Sequence, residues 1–228
     1  MKKSLYALIA FTVVLTAMVA RSAETNSVAD AEAAYTWTIN QRADKIVAAL
    51  GLADTNQLAR VRDIIARQYR DLAKIHAERD AQIKSAREKA GADKVAANTA
   101  VQAVRDETKP SLDKLHGEFL ARLAAELSAA QVEQVKDGLT YGVLPLTYGV
   151  YLKMYPDLTD EQKAQIKTWL TEARELAMDG STADEKHAVF GKYKGKINNY
   201  LSKAGYDAKK AEQNLKKPAA QPSESQPQ

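Results

Sequence analysis

The chain is 228 residues long, 45% hydrophobic and 27% charged, and it contains no cysteine. That balance belongs to an ordinary globular protein of one or two domains. It excludes a disulfide scaffold, thiolate zinc sites, a cysteine nucleophile and a lipid-modified N-terminal cysteine. Ten glycines and six prolines are few turn residues for this length, which argues against a many-stranded β protein and for long helices.

Residues 1–23 read as a secretory signal, with Lys2 and Lys3, an apolar run from Leu5 to Val19, and small residues around Ser22 and Ala23. The run is shorter than the roughly 20 residues needed to span a bilayer. It therefore predicts cleavage and a periplasmic or secreted protein with no membrane anchor. Losing Lys2, Lys3 and Arg21 takes the formal net charge from +4 to +1, and near-neutrality in an exported chain disfavours nucleic acid as a partner.

A first helix is expected from Asp30 to Leu50, where Trp37, Ala43, Ile46, Val47 and Leu50 recur at helical spacing before Gly51. Asp54 opens a second, reaching Ala90 through Leu58, Val61, Ile65, Leu72, Ile75 and Ile83, with Gln68 and Arg79 as gaps in the apolar stripe. A third runs from Asp93 to Leu127, with a kink or break expected near Thr108–Pro110 because proline lacks the amide that a helix interior needs. The two long segments predict an antiparallel hairpin over residues 54–127 that turns at Gly91. Aromatic residues concentrate after residue 137, above all in the stretch from Thr140 to Pro156, where TYGV occurs at 140–143 and again at 147–150. Helices follow at 160–178 and 183–203. A short amphipathic piece comes after Gly205, and residues 208–228 are assigned to a disordered polar tail. The expectation is all-α: one helical domain over 24–207, made of a long antiparallel hairpin packed with a smaller aromatic-rich half.

Three capping boxes mark helix starts: Ser128 with Gln131, Thr159 with Gln162, and Thr182 with Glu185. The first two, in LSAAQ and LTDEQ, resemble the LTxxQ motif of periplasmic helical chaperones and stress sensors of the Spy and CpxP type. That resemblance implies an unfolded periplasmic client as the partner. A longer one covers RADKIVAALGL (42–52), ARVRDIIARQYRDL (59–72), VKDGLTYGVLPLTYGVYLKMYPDLTDEQKAQI (135–166) and KHAVFGKYKGKINNYLSKAGYD (186–207). These segments are similar to a secreted bacterial family, domain of unknown function 3826. The resemblance implies sugar binding in the company of polysaccharide-degrading systems, and it transfers no catalytic residue.

Most chemistry finds no motif. His76, His116 and His187 lie far apart, none in a zinc pattern. The run from Gly191 to Lys196 lacks the spacing and the terminal Ser or Thr of a phosphate loop, and no GxSxG elbow is present. Neither cofactor nor metal is expected. Asp157, Glu172, Glu175 and Asp179 leave room for a glycosidase-type carboxylate pair. The aromatic region offers a ligand pocket: Tyr141, Tyr148, Tyr151, Tyr155 and Trp169, with His187, Asn198 and Asn199 as polar partners, could stack on a sugar ring and bond its hydroxyls. The competing expectation is a core stripe, because Tyr148, Tyr151 and Tyr155 are at helical spacing. The leading functional expectation is a non-catalytic exported binding protein with an oligosaccharide ligand. A Spy-like chaperone or stress sensor comes second, and a polysaccharide-active enzyme or accessory factor third.

Overall fold

The computed structural model describes residues 30–215; the signal segment and residues 216–228 lie outside them. Every regular element among the described residues is an α-helix. The chain divides into two compact units between Lys45 and Ile46. Helix α1 (30–48) contributes most of its described length to the first, where Ile39 and Ala43 are fully buried.

The second unit opens with the long pair, α2 (Thr55–Ala90) and α3 (Lys94–Glu126). Asp54 caps α2 by accepting the Asn56 amide, and Asp93 caps α3 by accepting the amides of Val95 and Ala96. Between them Gly91 takes φ +58°, which permits the tight reversal. At the other end of the pair Arg60 grips Glu126 with two parallel bonds of 2.8 and 2.9 Å. The helices are therefore antiparallel and clamped at their base. Val61, Ile65 and Leu72 are buried on α2, and Leu115, Phe119 and Leu123 on α3. Beyond His76 no described residue of α2 is buried; the outer part of the pair is lined largely by alanines, with Val101 of α3 buried. Helix α3 runs unbroken through Pro110, so the expected break does not form. Apolar residues on both sides, Val101 and Leu115, are buried, and this anchorage holds the backbone helical where propensity alone would end it.

Five shorter helices follow: α4 (Ala129–Leu139), α5 (Val143–Met154), α6 (Asp160–Met178), α7 (Ala183–Lys203) and α8 (Ala208–Asn214). The Ser128–Gln131 and Thr159–Gln162 capping boxes both form. At the third, Thr182 accepts the Glu185 amide, but the Glu185 carboxylate bonds the amide and hydroxyl of Ser181. Helix α5 is the aromatic stretch itself, with Pro145 in its first turn, where a missing amide does no harm. Helix α8 occupies residues assigned to the tail. Asp207 caps it, Ala211 is buried in the core, and Asn214 donates to the Met154 carbonyl at 2.9 Å. The core of this half joins Leu144, Tyr151 and Tyr155 to Ile166 and Leu170 of α6 and Phe190, Ile197 and Leu201 of α7.

Candidate functional site

The eight residues expected to line a pocket do not share one surface. Tyr151 and Tyr155 are 5% and 4% exposed and belong to the core. Tyr151 donates to Asn198 Oδ1 at 2.7 Å, and burial, with neighbouring Tyr155, pushes its hydroxyl up to about 12. Tyr155 stacks on Tyr151 and meets the edge of Tyr206. Tyr148 is half-buried against the same core, and Asn199 is exposed on α7. Tyr141 lies elsewhere. It is 48% exposed, adopts φ +58°, and stacks on exposed His187 with ring centroids 5.9 Å apart. A bulky residue in the left-handed region is strained. Here the strain is imposed by the end of α4, where the Gly142 amide reaches back to the Asp137 carbonyl at 2.8 Å.

Trp169 has different company. Helices α6 and α7 run antiparallel, each burying one stripe: Ile166, Leu170, Ala173 and Ala177 on α6, and Phe190, Ile197 and Leu201 on α7. The adjoining stripes, Gln165, Trp169, Glu172 and Leu176 beside Val189, Tyr193, Lys196 and Tyr200, follow the same steps of three and four. Tyr193, Tyr200 and Trp169 are half-buried against the core. The Trp169 ring meets the Tyr200 ring edge-on at 5.2 Å. Lys196 Nζ lies 4.5 Å from the centre of the Trp169 ring and 5.6 Å from that of Tyr193. Burial and the adjacent Glu172 carboxylate, which accepts its hydroxyl, raise the Tyr193 pKa. Three rings, an acid and a lysine thus make one side-by-side platform. Of these, Trp169 alone was expected as a ligand-binding residue; the 189, 193, 196, 200 spacing beside the buried 190, 197, 201 stripe is the signal that marks the others.

A second cluster was not foreseen as a unit. Arg174 of α6 is 3% exposed and bonds Asp137 at 2.8 Å, Glu175 at 3.0 Å, and Glu133. Lys136 bridges Glu133 and Glu175 at 3.0 and 3.1 Å. His116 of α3 lies 3.0 Å from the Asp179 carboxylate and 3.6 Å from Glu175. His76 of α2 donates from Nε2 to the Asp179 carbonyl at 2.6 Å, while its buried Nδ1 finds no partner among the described residues. Buried Lys186 of α7 donates to the carbonyls of Leu139 and Met178 at the ends of α4 and α6. The cluster therefore ties both long helices to α4, α6 and α7.

Its electrostatics are those of a clamp. Asp179 and then Glu175 raise His116 to about 9, so its ring carries a proton near neutral pH. Burial pushes Glu175 up, but His116, Lys136 and Arg174 outweigh it and hold the carboxyl at about 2. A general acid needs a carboxyl raised toward neutrality, and Glu175 is shifted the other way. Among the described residues no group of three or more His, Asp or Glu is placed to hold a metal ion, and no helix is long and apolar enough to cross a membrane.

Fold and surface define a class: an all-α protein with a clamped helical hairpin and a smaller helical half that presents an aromatic platform. The profile of the DUF3826 family, a protein family of unknown function, matches residues 36–220. The chain belongs to that family. No curated protein matches the sequence.

Proposed function

We propose that the protein is an exported, non-catalytic binding protein that takes an oligosaccharide on the α6–α7 platform. The observation that carries this reading is the alignment of half-buried Trp169, Tyr193 and Tyr200 along one side of the two helices, with exposed Glu172 and Lys196 among them. Flat rings stack on the apolar faces of sugar rings, and the acid and the ammonium supply bonds to hydroxyls at the rim. The sugar binding that the family resemblance implies is in keeping with this reading. An open platform excludes little water and orders a flexible ligand, so dissociation constants of roughly 0.1–1 mM are expected.

The chain has two tryptophans, Trp37 and Trp169. In a Trp37→Phe background, indole fluorescence reports on Trp169 alone. Titration of mature protein with plant and microbial oligosaccharides is expected to give a saturable change with one sugar class, lost in Trp169→Phe by calorimetry and in Tyr193→Ala. A panel that moves neither signal overturns the reading.

One observation favours a chaperone-like reading as the alternative. Between the outer parts of α2 and α3 lies an open groove of about 570 Å³, lined by Ala86, Ala90, Ala96, Ala100, Ala103 and Val104 among others. Such a groove could hold an extended apolar segment of an unfolded client. Suppression of client aggregation that survives Trp169→Ala and is lost on placing lysines at Ala96 and Ala100 would favour this reading over the first.

A further inference from the structure

Building on the platform reading, we propose that its ligand is an acidic oligosaccharide, with Lys196 as the group that selects for its carboxylate. The α7 edge of the platform is basic. On α7 the residues just outside the aromatic stripe are Lys192, Asn199 and Lys203, with Lys196 between them and the rings, all at helical steps on one side of the axis. Some lysines and arginines of the molecule are drawn into ion pairs, as at Arg60, Arg79, Lys109, Lys136, Lys163 and Arg174, and others stand on solvated faces; what sets the α7 row apart is its place beside the rings. Among the described residues Lys192, Lys196 and Lys203 form no ion pair with a carboxylate. A row of unpaired ammonium groups beside stacking rings suits a ligand that carries both a sugar face and negative charge.

Lys196 gives this a specific mechanism. Its ammonium lies over the Trp169 and Tyr193 rings, on the surface where a sugar would stack. A neutral sugar on Trp169 must push that ammonium aside and receives nothing for the lost cation–π contact. A uronate ring can stack while its carboxylate takes the displaced ammonium as counter-ion. The same lysine is therefore an obstacle to neutral sugars and a partner for acidic ones. Glu172, beside Tyr193, repels a second carboxylate at that end and sets the ligand's direction along the platform.

The test compares oligosaccharides of galacturonate and of mannuronate with their carboxyl-reduced counterparts by calorimetry at low and high salt. Wild-type protein is expected to bind one of the acidic forms about fivefold more tightly than its reduced partner, the difference shrinking at 0.5 M salt. Lys196→Ala, an exposed change to a good helix former, is expected to abolish the preference by weakening the acid and leaving or improving the neutral sugar. Lys194→Ala, on the opposite side of α7, is expected to change neither. Equal affinity for the two forms, or an acid preference that survives Lys196→Ala, overturns the inference while leaving the platform reading in place. Binding of neither form overturns both. Equal displacement by single-stranded DNA at the same salt also overturns the inference, because it marks a surface for polyanions in general.

Discussion

Tyr141 and Tyr151 show how far a residue's meaning depends on its backbone. Both are tyrosines of one aromatic stretch, Tyr141 inside the first TYGV and Tyr151 immediately after the second, which holds Tyr148. The first copy turns, with Tyr141 at φ +58° and Gly142 at φ +65°, while the second lies inside α5. Nothing local separates them; the first follows the end of α4 and the second sits where α5 packs on the core. Tyr141→Gly is expected to stabilise the protein by about 0.5–1 kcal/mol in denaturant unfolding, because the left-handed backbone no longer opposes a side chain. A net loss would mean that stacking on His187 outweighs the strain. For Tyr151→Phe, a loss of about 1 kcal/mol is expected from the bond to Asn198. Sugar titration of that variant should be indistinguishable from wild type, since Tyr151 is core. Periodicity had offered pocket and core for this residue alike, because a stripe at helical spacing serves either role.

At the scale of elements, helix positions were legible and their couplings were not. Caps, glycine stops and apolar periods located α2, α3, α6 and α7 almost to the residue, since these are local signals acting within one or two turns. Pro110 is the exception. Sequence logic breaks α3 there, yet the helix continues because α2 supports it on both sides. Pro110→Ala should therefore raise stability by about 1–3 kcal/mol, the helix having carried a proline at an exposed interior position. Thermal unfolding reads the change directly, and a lower midpoint would show that the proline shapes the hairpin. The platform belongs to this scale too. It exists because α6 and α7 lie antiparallel, which sets Trp169 against Tyr200, and neither helix contains it alone.

For the second unit as a whole, the ion cluster makes stability a function of pH. His116 is raised from 6.5 to about 9, so its contribution is complete below pH 6.5 and is lost as pH climbs through 9. Glu175 and Glu185 are lowered from 4.5 to about 2, so theirs is complete above pH 4.5 and is lost as pH falls through 2. Unfolding free energy should be flat between about pH 5 and 6.5 and decline on both sides, the alkaline limb by about 2–3 kcal/mol from His116. His116→Gln should flatten the alkaline limb and leave the acid limb in place. An unchanged alkaline limb would show that His116 does not hold its proton in the folded protein.

Hydrophobic period, caps and the scarcity of turn residues determined the all-α class, the two long helices and their reversal at Gly91, because each acts over a few residues. The resemblance of four separated segments was enough to find the family. Only tertiary structure decided which tyrosines are core, that Tyr193, Tyr200 and Lys196 join Trp169, and that Arg174 gathers Glu133, Asp137 and Glu175 from two helices. Apart from Glu175, which adjoins Arg174, those partners lie tens of residues from the side chain they meet. No local pattern encodes a distance between helices, and a charged residue reads the same in sequence whether it meets solvent or a buried guanidinium.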